Sequence, residues 1–205
     1  MSDQETRQRL LESAARLFSR RGFKDVTVRE ICRTARANVA AVNYHFHGKL
    51  GLYTAVVRMA IDEIRGMSDS ARQAGEGASA EERLRIFIKA FLQRVVLNGR
   101  DSWIQQLISR EMSDPTPAFD LIIKLAIRPR IEFLSGLVAD LLACPEDDPR
   151  VIRCVAGVQS QLLFLLNPAV ARVHPAFKMT PAAIELMGEH ILAFSLGGIR
   201  AVRAS

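Results

Sequence analysis

The chain has 205 residues, 49% of them hydrophobic and 24% charged, which is enough for a well-buried core beside a small head and excludes a disordered segment. It carries 28 Lys and Arg against 22 Asp and Glu, and the surplus is uneven: ten cations face five anions in residues 1–50, and eighteen face seventeen in 51–205. A positive field concentrated at one end suits a phosphate-binding surface, while a polar N-terminus and the lack of an apolar run near the ~20 residues of a membrane span lead us to expect a cytoplasmic protein with no membrane partner.

Nearly every segment has helical period and none alternates as a strand, so the expected fold is all-α. The first helix, about residues 4–21, buries Leu10, Leu11, Ala14, Leu17 and Phe18 and stops at Gly22. Thr27 then caps a short helix, with Glu30 three residues on as the second half of a capping box, and Ile31 and Ala35 lie four apart on its inner face. Asn38 caps the next helix. Ala35-Arg36-Ala37 leaves about three residues between the two, the spacing of a helix-turn-helix, whose second helix enters the major groove.

The outer surface of that second helix carries the functional signal. Val39, Ala40 and Ala41 are small enough for close approach to base edges, and their methyls suit the thymine methyl group. Asn43 has the bidentate donor and acceptor pair that matches adenine. Tyr44 and His45 offer a phenol and an imidazole to phosphate oxygens, and Lys49 places a point charge on the backbone. Thr27, Arg29, Arg36 and Asn38 complete the expected DNA-binding set. Phe46 is expected to plug the small core instead.

Beyond the head, a helix from about Gly48 to Arg72 links it to the body, and 73–79 forms a flexible connection. Ser79 and Glu82 open a helix to about Asn98 that carries Leu84, Phe87, Ile88, Phe91, Leu92 and Val95. Asp101 starts a shorter one, ending before Asp114-Pro115. A long apolar helix from about Pro117 to Ala143 contains Arg128-Pro129, so a kink is expected near 125–129. Pro145 to Pro149 break the chain again, with Asp148 as a cap.

The last two helices, about 149–166 and 180–198, have little polar surface, which a small domain can hardly bury within itself. Val155, Val158, Leu162 and Leu166 of the first and Met187, Ile191 and Phe194 of the second are therefore assigned to a homodimer interface, a four-helix bundle about a two-fold axis; an intramolecular core is the competing reading. The domain division expected is a head at 1–53 and a helical body at 54–205.

Arg9 to Phe18 with Gly22-Phe23, then Thr27, Ile31, Ala35, Asn38, Ala40, Tyr44-His45-Phe46, Lys49 and Leu52-Tyr53, resemble the N-terminal signature of the TetR family of bacterial transcription regulators, over about a quarter of the chain. Residues 38–46 resemble the CecR-like subgroup, and Arg110-Glu111-Met112-x-x-Pro115 with Arg128-Pro129 is similar to it as well. The resemblance implies a homodimer with two DNA heads, a helical C-terminal domain binding a small-molecule effector, and an altered grip on a palindromic double-stranded DNA operator. Two positions depart from the family pattern: Arg36 stands where Gly is usual, and Leu50 where an acidic residue follows the lysine. A non-Gly residue with positive φ costs on the order of 1 kcal/mol, so the turn should survive, and its guanidinium gains access to a phosphate.

In that family the effector lies inside the body, in cavities that are mainly apolar with few convergent polar groups. Phe87, Phe91, Trp103, Gln106, Phe119, Gln159 and Gln161 are the candidates here. No phosphate loop, dinucleotide fingerprint or nucleophile elbow is present, and no histidine has a partner at ligand spacing, so neither an enzyme nor a metal or other cofactor is expected. Cys32, Cys144 and Cys154 are odd in number and far apart, which reads as reduced thiols. The alternative function is a helical small-molecule or acyl-chain binding protein that has lost DNA binding, a difference a gel shift decides.

Overall fold

Helix formation begins at once: Glu5 N–H donates to Ser2 Oγ at 3.2 Å and the Glu5 carboxylate accepts Ser2 N–H at 3.0 Å, a capping box that opens α1 (Asp3–Asp25). The computed structural model describes residues 2–97, 102–166, 170–174 and 180–204. Its further helices are α2 (Val28–Ala35), α3 (Val39–Phe46), α4 (Lys49–Ala74), α5 (Ala80–Leu97), α6 (Trp103–Ser113), α7 (Phe119–Ile122), α8 (Arg128–Leu142), α9 (Pro149–Leu166), α10 (Val170–Val173) and α11 (Pro181–Ala204). No strand occurs among the described residues. The expected stop at Gly22 is visible as a break inside α1, where φ is 83° and ψ 170°; lacking Cβ, glycine takes that conformation at little cost. Asp101, expected to start α6, lies outside the described residues.

Two compact units divide the chain: residues 1–64 with 101–126, and residues 65–100 with 127–205. The first unit thus takes in more than the expected 1–53 head, adding α4 as far as Ile64 and the whole of α6 and α7. Leu10, Phe18, Ile31, Leu52, Tyr53, Ile61, Leu107 and Ile122 are among its fully buried large side chains. Tyr53 meets Phe18 edge-on at 4.9 Å between ring centroids and Phe23 at the same distance, contacts of a kind worth about 0.5–1.5 kcal/mol beyond the area buried.

Helix α6 is tied to α1 and α4 by polar groups. Arg110 Nε donates to the Ser19 carbonyl at 2.8 Å and a second guanidinium nitrogen reaches the Arg20 carbonyl. Both lie just before the break at Gly22, where backbone carbonyls lose their helical partners. Lys24 pairs with Asp114 at 2.8 Å. Glu111 is buried and accepts from Tyr53 Oη at 2.5 Å and from Thr116 N–H at 3.2 Å.

In the second unit one apolar cluster joins Leu84, Ile88 and Leu92 of α5, Leu134, Leu137 and Val138 of α8, Val155, Val158 and Leu162 of α9, and Ile184, Ile191 and Leu192 of α11. Helix α11 lies along α5, and a methyl group added at Gly188 would meet Leu92 Cδ1 at 3.6 Å, an ordinary contact. Lys89 bridges Glu185 and Glu189 at 3.0 and 3.1 Å along the same seam. The kink expected near 125–129 is a π-helical turn at Ile123–Ile127 directly before α8, because Pro129 has no N–H for the carbonyl one α-turn back. Asp148 caps α9 through Arg150 N–H at 2.8 Å.

Helix α11 departs from expectation in two ways. It runs six residues beyond 198, to Ala204, and its length and composition are those of a membrane span. Its Ile184, Ile191, Leu192, Leu196 and Ile199 nevertheless lie buried in the cluster just described, which is how a core helix meets the same criterion.

Candidate nucleic-acid interface

The turn between α2 and α3 is built from side-chain caps. Glu30 N–H donates to Thr27 Oγ1 at 3.2 Å, and the Glu30 carboxylate accepts Thr27 N–H at 2.8 Å and the Thr27 hydroxyl at 2.9 Å. Arg21 donates to the same carboxylate at 2.8 Å. The Arg21 hydrogen bond first, then those of Thr27, hold the Glu30 carboxyl down from 4.5 to about 2. A carboxylate whose folded pKa is depressed stabilises the fold above its ordinary value and loses that contribution as pH falls toward the folded one. The melting temperature is therefore expected to drop between pH 4.5 and about 2, and Glu30→Gln to flatten that dependence in circular dichroism melts. An unchanged acid limb in the variant would show that this cap does not govern it.

Arg36 closes α2 in the left-handed region, φ 51° and ψ 49°, with its N–H on the Arg33 carbonyl, so the turn forms without glycine. Its side chain is exposed, as is that of Arg29. Asn38 Oδ1 accepts Ala40 N–H at 2.9 Å and starts α3. Val42 and Phe46 turn inward and are buried. That leaves Ala40, Asn43 and Tyr44 exposed on one stripe at the i, i+3, i+4 spacing of a helix face, with His47 exposed just past the helix as its left-handed C-cap, φ 57°. Tyr44 stands 72% exposed; Val39 is exposed beside it and Ala41 is half-buried.

Two expected phosphate ligands are turned elsewhere. The imidazole of His45 is only 7% exposed and its Nε2 lies 3.3 Å from Asp3 Oδ1. It helps line a shallow groove with Ser2, Asp3, Thr6, Ala40, Ala41 and Tyr44. Its chemistry here is to hold the start of α1 against α3. Lys49 stacks its ammonium 4.5 Å from the Phe23 ring centroid and donates to the Lys24 carbonyl at 3.4 Å, an arrangement in which aromatic and carbonyl partners share the charge. Thr27 and Asn38 spend their side-chain oxygens on caps. The outward set is thus Arg29, Arg36, Val39, Ala40, Asn43, Tyr44 and His47.

The residues nominated for an effector fall in different units. Trp103, Gln106 and Phe119 belong to the first, whereas Phe87, Phe91, Gln159 and Gln161 belong to the second. Gln161 donates to the Gly157 carbonyl and to Ser195 Oγ, both at 3.2 Å. Phe87 stacks on Phe133, with 6.0 Å between ring centroids.

The residues nominated for a subunit interface are mostly core. Val155, Val158, Leu162 and Ile191 are buried in the second unit's own cluster, with Met187 partly buried against it; the side chain of Leu166 lies outside those described. They occupy the inner stripe of each helix. Phe194 alone of the described set is outward, 66% exposed, and it is joined by Leu186 on α11 and by Ile152, Leu163 and Phe164 on α9. Helices α9 and α11 pack together, and each carries exposed apolar side chains.

Residues 10–56 match the family described as bacterial regulatory proteins, tetR family, and residues 80–199 match the C-terminal domain of the HTH-type transcriptional dual regulator CecR. The HTH-type transcriptional dual regulator CecR of Shigella flexneri is 27% identical over 157 residues, spanning 73% of this chain and 70% of that one. A TetR-like transcriptional regulator from Rhodococcus sp. RHA1 has a similar fold, with a TM-score of 0.69 at 20% identity over 94% of this chain and 96% of that one. So does AibR, crystallised with isovaleryl coenzyme A and operator DNA, with a TM-score of 0.65 at 16% identity over 92% and 97%. At such identities the two structures speak for the fold.

Proposed function

Because the chain belongs to the TetR family of bacterial transcription regulators, with a C-terminal domain of the CecR type, we propose that it represses transcription as a cytoplasmic homodimer whose hold on a palindromic operator is altered by a small organic effector. It is a regulator and not an enzyme. The observation that carries the DNA-binding part is the exposed stripe Ala40, Asn43 and Tyr44 on a helix whose opposite face is anchored by Val42 and Phe46. A small residue, an amide and a phenol at that spacing offer one base-reading group flanked by backbone contacts.

The dimer part is supported by the apolar surface of α9 and α11, whose Ile152, Phe164, Leu186 and Phe194 are exposed in the single chain. A two-fold copy of the same surface is its simplest cover. Two heads so joined read half-sites about one helical turn, or a multiple of it, apart. The effector part is supported by the AibR complex, in which the same fold is paired with both a small ligand and operator DNA.

Footprinting on the DNA flanking the protein's own reading frame tests the reading, with a protected inverted repeat as the expected result. In fluorescence-anisotropy titrations on that site, Asn43→Ala should flatten the preference at one base pair by about 1–3 kcal/mol. Tyr44→Ala should weaken operator and random DNA by similar factors. If neither change moved the titration, α3 would not be the helix in the groove.

A further inference from the structure

Within the second unit, two polar side chains interrupt stripes that are otherwise apolar. Gln159 is only 7% exposed, sits between Val155 and Leu162 on the inner face of α9, and neither its Nε2 nor its Oε1 has a hydrogen-bond partner. Arg130 extends the buried Leu134, Leu137 and Val138 stripe of α8 by one turn, and its Nε is likewise buried and unpartnered. Among the described residues its guanidinium has no ion pair, and burial holds its pKa below the ordinary arginine value. Buried donors left without a partner are costly and call for one.

The fold brings these two groups to one level. Helices α8 and α9 pack along each other and are joined by residues 143–148 alone, so they run antiparallel. At 1.5 Å per residue, Arg130 stands about 18 Å from the hairpin end and Gln159 about 15 Å, within one turn of each other. Helix α5 runs antiparallel to α8 beside them: Arg83 meets Asp140 at 3.7 Å, and Phe87, one turn later, meets Phe133. A further turn brings Phe91 level with Arg130; its ring centroid is 6.4 Å from that of Phe87. An aromatic wall, a cation and an amide thus stand within about one turn of a common level on three helices that pack together.

We infer that this level binds an amphipathic organic anion, its carboxylate accepting from the Arg130 guanidinium and the Gln159 amide N–H, its apolar body lying against Phe91 and Phe87. A carboxylate supplies the missing countercharge in the fork geometry that a guanidinium prefers, and the aromatic rings reward an alkyl or aryl body. The inference depends on the effector reading given above for its regulatory consequence, and on Arg130 and Gln159 for the binding itself.

The test is isothermal titration of the full chain with octanoate and with octan-1-ol, which share the tail and differ in the charge. Octanoate is expected to bind at least about tenfold tighter, as a charge-assisted pair implies. Arg130→Gln should erase that preference while leaving octan-1-ol binding in place, which also reports that the variant is folded. Gln159→Leu should reduce the preference without abolishing it. Equal affinities for the two probes in the wild-type protein, no binding of either, or a preference that survives Arg130→Gln would each overturn the proposal. A gel shift on the footprinted operator separates the two readings: octanoate that binds with the stated preference but leaves operator affinity unchanged would keep the site and remove its role as the effector site.

Discussion

Phe194→Glu is expected to give monomers in analytical ultracentrifugation and to weaken operator binding by about a hundredfold or more, since a joined pair of heads gains effective concentration of that order, while helical circular dichroism is retained. The side chain is 66% exposed, so a carboxylate there stays solvated in the single chain and suffers only where a second copy covers it. Leu162→Glu should behave in the opposite way. Leu162 is fully buried in the second unit's core; losing it costs about 2–5 kcal/mol in packing, and burying an unpaired carboxylate adds further. That variant is expected to lose its fold before it loses its partner. A monomeric wild-type protein at micromolar concentration, or a dimeric Phe194→Glu, would remove the interface from α9 and α11.

Glu111→Ala should lower the stability of the first unit by about 2–6 kcal/mol, since it strands two donors at once, each at about 1–3 kcal/mol when left unsatisfied. These are the Tyr53 hydroxyl, 2.5 Å away, and the Thr116 N–H, 3.2 Å away. Glu111→Gln keeps an acceptor and should cost less. Burial, and then the adjacent Glu111, push the Tyr53 phenol well above its ordinary value, so its contribution is complete below pH 10.0 and is lost as pH rises past it. The measurement is a urea titration of wild type and both variants. An Ala variant with the wild-type midpoint would mean that α6 contributes nothing to the head through this carboxylate.

How much of this was legible beforehand depends on the range of the interaction responsible. Both caps of the helix-turn-helix were readable, because Thr27 and Glu30, or Asn38 and Ala40, meet within a few residues and the chemistry of capping is local. The all-α class and the break ahead of Pro129 were readable for the same reason. Which stripe of α9 faces the core was not. Helix α9 is apolar on two sides, and periodicity names the stripes without saying which one faces inward; Val155, Val158 and Leu162 turned out to be the inner one. Local sequence offers the His45 imidazole to phosphate, but its neighbour in space is Asp3, forty-two residues earlier. Chain position places Trp103, Gln106 and Phe119 in the body, yet residues 101–126 belong to the head's unit.

That last assignment bears on how the protein is made. The unit holding the helix-turn-helix is assembled from two stretches, 1–64 and 101–126, and the second supplies the buried Leu107, Glu111 and Ile122. During synthesis, chain emerges from the ribosome N-terminus first. The helix-turn-helix residues are therefore among the earliest to appear, but their unit cannot close until residue 126 has cleared the tunnel, by which time all of α5 has been produced. Loop closure on that scale delays folding, because the entropy of bringing distant segments together is spent before their contacts repay it. A nascent chain halted between residues 64 and 101 should accordingly display the amino-terminal helices without their protease-resistant packing, and the head becomes competent only as a late product of translation.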